Sequence, residues 1–170
     1  MTDLRYPIGP FERPADRSPA QRAVWLDQLA ELPAHVRAAV AGLPEGGLDR
    51  PYRDGGWTAR QVVHHLADSH MNSYVRFRLA LTEETPSIKA YDEAAWAELA
   101  DARTAPVDLS LSLLGSLHAR WVALLRSVDE PAWNRRLIHP ESGELDLYTM
   151  LGLYAWHGRH HLGHIRSIRA

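Results

Sequence analysis

Four long amphipathic segments without a sustained strand pattern predict an all-α protein, a four-helix bundle with short connecting helices. Three observations carry this reading. Apolar residues recur at helical rather than alternating spacing, and recognisable start signals precede the long segments. The composition, 45% apolar and 24% charged, is that of a globular domain able to bury a core. A length of 170 residues fits one domain, taken as residues 1–170.

Residues 1–17, rich in proline and charge, read as an extended N-terminal arm. Ser18-Pro19 pairs an N-cap with proline at the first helical position. The helix that follows carries Trp25, Leu29 and Leu32 at helical spacing, with Val24 beside them. Pro33 is expected to kink or restart it, because proline removes a backbone donor and crowds the preceding turn. Its continuation ends at Pro44 and the Gly46-Gly47 pair. After the turn-forming Pro51-Tyr-Arg-Asp-Gly-Gly-Trp57, Thr58-Ala-Arg-Gln61 is a capping box that opens a second helix reaching to about residue 81.

Thr85-Pro86 breaks the pattern, and residues 92–99 form a short connecting helix. Asp108 caps a third long helix with the apolar stripe Leu109, Leu113, Leu114, Leu117, Trp121 and Leu124–Leu125. Residues 135–145, with a Ser142-Gly143 turn, form a small hairpin or an ordered loop. Asp146 caps the last helix, from Leu147 to about Ile168. Long connections after the second and third helices argue against a plain up-and-down arrangement.

Charge narrows the function classes. Nineteen basic side chains against 21 acidic ones give a net charge of −2, which builds no face for nucleic acid or an anionic membrane. The absence of cysteine removes disulfides, thiolate ligands and a cysteine nucleophile, and fits a reducing cytoplasm. The first ten residues lack the apolar h-region of a signal peptide, and no run reaches membrane-spanning length. No GxSxG or Gly-rich phosphate loop is present, so serine-based covalent catalysis has no support.

The outlying feature is histidine, ten residues, most of them in His64-His65…His70 and His157…His160-His161…His164. Residues four apart share a helix face. Leu147, Met150, Leu151, Tyr154, Ile165 and Ile168 define the core stripe of the last helix; His161 falls near its centre and His157 at its edge. Two stacked imidazoles on a core face need polar partners, and a divalent metal ion supplies one. His160 and His164 make a second pair, rotated away from that centre, with His160 the more exposed and His164 close enough to partner a ligand from behind.

A catalytic site needs a third ligand and an open position. On the second helix Val62, Val63, Leu66 and Phe77 set the buried face. Phase places His70 well inside that face, His65 beyond its edge and His64 further out, so His70 leads on periodicity and His65 stays open. Asp68 is a candidate to orient a ligand or water. His118 is a candidate for proton transfer, with a structural role at least as good. Arg53 and Asp54 either line a pocket mouth or set the Gly-Gly turn, and the tryptophans read as packing residues.

At this point the sequence resembles a known family, the YfiT-type metal-dependent hydrolases of the DinB-like superfamily. The resemblance spans nearly the whole chain. It rests on Tyr6-Pro-Ile-Gly9, Pro51-Tyr-Arg-Asp-Gly-Gly-Trp-Thr58, the run from Arg60 through His64-His65 to Tyr74, Leu81-Thr-Glu-Glu-Thr-Pro86, and Trp156-His157…His161…His164. It implies an up-down-down-up bundle, a cytoplasmic homodimer, and one zinc or nickel ion per subunit held by His65, His157 and His161. It also points to hydrolysis of a small-molecule substrate at open positions that take water; from their positions in the sequence, His164 and His118 are the candidates to assist. Relatives of the same superfamily act instead as S-transferases of bacillithiol or similar low-molecular-weight thiols. A non-catalytic, metal-binding stress protein is the remaining alternative.

Overall fold

The computed structural model describes residues 3–168. Four long helices make the body: α1 (Pro19–Ala41), α2 (Ala59–Thr82), α5 (Val107–Arg126) and α6 (Leu147–Ser167). Between α2 and α5 lie two single-turn helices, α3 (Glu93–Ala97) and α4 (Ala100–Thr104). Strands β1 (Arg136–His139) and β2 (Gly143–Asp146) form an antiparallel hairpin before α6.

Local chemistry explains most boundaries. Ser18 Oγ accepts from the Gln21 amide to cap α1, and Asp146 accepts from the Thr149 amide to cap α6. The capping box of α2 is reciprocal: Gln61 N donates to Thr58 Oγ1 at 3.2 Å, and Thr58 N donates to Gln61 Oε1 at 3.0 Å. Gly143, at φ +71°, supplies the left-handed residue that opens β2.

Two expectations are corrected. Of the kink or restart expected at Pro33, the restart does not occur: α1 runs unbroken across it. The Leu29 carbonyl, which proline cannot satisfy, receives a side-chain donor from another helix. Asp108 does not cap α5; it lies in the first turn, behind Val107 and the extended Pro106. The connecting helix expected over 92–99 is α3, capped by Asp92; a second short helix, α4, follows it after Leu99 turns extended.

Side-chain contacts give the helix directions. His64 meets Ser110 near the starts of α2 and α5, and Phe77 meets Trp121 further along both, so these helices run parallel. Trp25 packs on Gly152 and Leu32 on Gly158, so α1 and α6 also run parallel. His65 faces His161 while Arg76 faces Tyr154, which makes α2 antiparallel to α6. Arg37 pairs with Asp108 and Asp27 with Arg126, which makes α1 antiparallel to α5. The bundle is therefore up-down-down-up, with α1 and α2 on one diagonal and α5 and α6 on the other. No helix among the described residues is long and apolar enough to cross a membrane.

Two apolar clusters fill the interior. One is built around Phe77, Trp121, Met150 and Tyr154, the other around Leu32, Val62, Leu66, Leu114 and Ile165. The buried face of α5 is Leu111, Leu114, His118, Trp121, Val122 and Leu125; Leu109 and Leu113, expected in the core, are 64% and 44% exposed.

Close approach of α1 and α6 depends on glycine. A Cβ at Gly158 would collide with Leu32 Cδ2 and lie 3.1 Å from Cδ1. Gly158→Ala is expected to lower stability by about 1–3 kcal/mol through overpacking, despite alanine's advantage of about 1 kcal/mol within a helix. A fall in the urea midpoint at unchanged m-value is the readout; an unchanged or raised midpoint would contradict the packing described.

Candidate metal centre

The capped starts of α2 and α6 set the phase of both helices and turn two histidine groups toward each other across their antiparallel contact. The ring nitrogens of His65, His157 and His161 lie within 4.8 Å of one another, one ligand atom from each. His65 Nε2 and His157 Nε2 are 3.3 Å apart. Two nitrogens bound at about 2.0–2.1 Å to one tetrahedral ion are themselves about 3.3 Å apart. The donor set thus fits a divalent transition metal without rearrangement of that pair.

Electrostatics agree with the spacing. Burial pushes His65 down to about 4, with smaller contributions from His160 and His164. Burial likewise holds His157 and His161 well below the ordinary histidine value. All three are therefore neutral at pH 7, the form that binds a metal.

A second group, His160, His161 and His164, also brings its nitrogens within 4.8 Å and shares His161 with the first. It comes from a single helix, with two members adjacent in sequence, a poorer geometry for enclosing an ion than residues from two helices. His160 is the more exposed of the pair, as the helical projection expects, but only by 8% against 2% for His164, so both are buried. The N-terminal arm covers His160: Tyr6 lies over its ring and Trp156 stacks on it, while Trp156 Nε1 donates to the Gly9 carbonyl at 3.1 Å. His164 stacks on Tyr52 at 3.9 Å and sets Nδ1 3.3 Å from His161 Nδ1.

The other sequence candidates are distributed as follows. His70 is fully buried, as its phase predicts, but its Nε2 faces His157 Nδ1 rather than the His65–His157 gap. His118 is buried behind His70 on α5. His64 turns away to Ser110 and the Ala105 carbonyl. Asp68 belongs to a different face, where burial and then Asp101 push its carboxyl up to about 6.

A cavity of about 360 Å³ opens at His161. Its wall includes Arg5, Tyr52, Arg53, Trp57, His160 and His164, and among the described residues no acidic side chain lines it. Arg53 fills both roles open to it. It shapes the turn, with Gly56 N donating to its carbonyl, and it lines the cavity, where its buried Nε has no acceptor. Trp57 was legible only as a packing residue, yet its ring stands 4.8 Å from that of His65 and stacks at 6.3 Å on that of His161. No periodic signal marks Trp57 or the arm residues Arg5 and Tyr6, because loops bring them there. A larger cavity of about 560 Å³, walled by Arg76, Asp92, Glu93, His139 and Glu141, includes none of the clustered histidines.

The chain is similar to known proteins over nearly its whole length. The profile of the DinB superfamily matches residues 28–165. The YfiT protein of Bacillus subtilis (strain 168) is 52% identical over 167 residues, covering 98% of this chain and 94% of that protein. A relative from Bacillus cereus (strain B4264) is 52% identical over 169 residues, covering 99% of this chain and 97% of its own length. Both carry provisional names as metal-dependent hydrolases. The solved structure of B. subtilis YfiT is described as a probable metal-dependent hydrolase with an unusual four-helix bundle topology. It matches with a TM-score of 0.94 at 51% identity, over 97% of this chain and 95% of that one. The four-helix bundle protein TT2238, 21% identical, shares the fold alone, with a TM-score of 0.57 over 83% of this chain and 94% of that one.

Proposed function

The chain belongs to the DinB superfamily, and from that premise we propose that it is a metal-dependent hydrolase with one zinc or nickel ion held by His65, His157 and His161. The observation that carries the proposal is the 3.3 Å separation of His65 Nε2 and His157 Nε2, two neutral nitrogens on different helices beside His161, the first on a buried and the second on a partly buried ring. A divalent ion held there supplies Lewis acidity, which lowers the pKa of water toward about 7.

The chain's own residues do the rest. Histidine suits zinc and nickel alike. Three neutral ligands leave the ion's charge uncompensated, so the site favours substrates with electron-rich or anionic groups. Trp57 and Tyr52 wall the approach and exclude water from one side. His164, behind His161 and lining the cavity, is placed to take up or return a proton during turnover. His118 has no such access and works behind His157. The cavity, about 360 Å³, suits a small molecule.

A second reading has one specific observation in its favour. The cavity wall holds Arg53 with an unsatisfied Nε and no acid, which suits an anionic co-substrate such as bacillithiol. In that reading the protein is a thiol S-transferase. The cytoplasmic location and homodimer implied by the family resemblance belong to the same proposal. Exposed Leu109 and Leu113, one turn apart on α5, offer the dimer an apolar face.

The deciding experiment compares zinc- or nickel-loaded protein on a panel of esters and amides without thiol, and on a chloro-aromatic electrophile with bacillithiol. Thiol-independent hydrolysis, abolished by chelation and restored by metal, is expected. Turnover only with the thiol would replace hydrolysis by transfer. Stoichiometric metal with neither activity would reduce the protein to a metal-binding module.

A further inference from the structure

Pro33 sits inside α1, where an ordinary residue would donate its N–H to the Leu29 carbonyl. Leu29 is 1% exposed, so water does not reach that carbonyl freely. His118 of α5 fills the gap, with Nδ1 2.6 Å from Leu29 O. A carbonyl only accepts, so His118 Nδ1 carries the proton.

The consequence runs through three rings. His70 and His118 are buried, and the three rings meet one another's nitrogens and a carbonyl rather than a carboxylate that would balance a charge, so each ring is neutral and carries one proton. With its proton on Nδ1, His118 has an acceptor at Nε2, 2.8 Å from His70 Nδ1. His70 must therefore donate from Nδ1, and its Nε2 becomes an acceptor. That atom lies 3.1 Å from His157 Nδ1, which must donate in turn. The proton of His157 is thereby fixed on Nδ1, and its lone pair on Nε2 faces His65 Nε2 at 3.3 Å. Reversing any one ring would set two lone pairs or two N–H groups against each other in the dry core. Trp121 and Tyr154, edge-on to His70 at 5.8 and 5.3 Å, keep that ring from turning.

We propose that His70 and His118 are positioning residues that, anchored on the carbonyl released by Pro33, fix the tautomer and aim of His157 so that Nε2 is always presented to the metal. The proposal rests on the reading of His65, His157 and His161 as the metal centre and extends it to residues that touch no ion. Metal-binding histidines commonly donate their other N–H to a carboxylate or backbone carbonyl. Here two imidazoles stand between the ligand and the carbonyl, and aligned hydrogen bonds polarise one another along such a chain. The polarisation raises the basicity of His157 Nε2 without placing a charge in the core.

Long-range proton–nitrogen correlation spectra of the ¹⁵N-labelled apoprotein read the tautomers directly. Protonated Nδ1 is expected in His118, His70 and His157. A proton on Nε2 of any of the three overturns the relay, whatever the metal does. His118→Phe keeps a ring in place but removes both nitrogens, and a zinc Kd raised about 10–100-fold is expected. Wild-type affinity in that variant, folded by circular dichroism, contradicts the proposal. Pro33→Ala supplies a competing N–H to Leu29; it is expected to raise the apoprotein's Tm while weakening zinc binding several-fold. A purely structural role would not move the two in opposite directions, and unchanged zinc affinity removes Pro33 from the relay. Failure of wild-type protein to bind zinc or nickel would sink the metal centre instead, while the apoprotein tautomers still judge the relay.

Discussion

Replacing His161 with alanine is expected to strip the protein of its metal and of any metal-dependent turnover. His161 is one of three neutral nitrogens gathered within 4.8 Å, and the only residue common to both histidine groups. Zinc binding of about 10–16 kcal/mol at a four-ligand structural site corresponds to about 3 kcal/mol per ligand, or more than 100-fold in affinity. His65→Ala and His157→Ala should lose metal to the same degree. His160→Ala and His164→Ala should retain it, because they belong only to the second group. Metal per chain after dialysis, together with calorimetric titration, separates these outcomes. Loss of metal in His160→Ala and His164→Ala, with retention in His65→Ala, would move the centre to the other group.

The contrast between His65 and His70 shows how far periodicity reaches into this site. The apolar stripe of α2 correctly places His70 deep in the bundle, 0% exposed. The same phase puts His65 beyond the edge of that face and His64 further out, yet both are buried, 4% and 7% exposed. Depth therefore does not choose between His65 and His70 as a ligand. In the proposed centre the choice rests on which ring faces α6, and His65 stands opposite His157 with its Nε2 3.3 Å from that of His157. A one-dimensional pattern measures distance from solvent, not distance from a neighbouring helix.

Similar reasoning accounts for the stripe on α5, which is right at Leu114, Trp121 and Leu125 and wrong at Leu109 and Leu113. Counting leucines favours the last two, yet the inward face is completed by Leu111, His118 and Val122. A buried histidine weakens the apolar signal of the face it serves. The order of the helices, by contrast, was legible through caps and breakers, because those act over three or four residues. The burial of His160 was not, since the arm that covers it is distant in sequence and carries no periodic pattern. Pro33 misled for a related reason: its cost inside a helix depends on whether the orphaned carbonyl finds a donor, and that donor lies 89 residues away in the chain.

Acid is expected to unfold the metal-free protein well before it would unfold one without buried histidines. His65 and His118 are nearly inaccessible, and burial pushes both down to about 4 from the ordinary value of 6.5. Between those values the unfolded chain binds protons that the folded chain refuses, so stability rises with pH across that window. The contribution is complete above about pH 6.5 and is lost as pH falls toward about 4. At pH 5 each group removes on the order of 2 kcal/mol relative to pH 7. His70, His157 and His161 shift in the same direction. Two groups alone therefore claim about 4 kcal/mol of a total that for most domains is about 5–15 kcal/mol. Urea unfolding of chelator-treated protein at pH 7 and pH 5 measures the loss directly. Zinc in excess should resist it, because the ion binds only the unprotonated folded cluster and stabilises that state by mass action. His118→Phe should make the pH dependence shallower by about one group's share. A metal-free protein equally stable at both pH values would show that the cluster admits protons freely. The dry, neutral nitrogens on which the metal centre depends would then be absent.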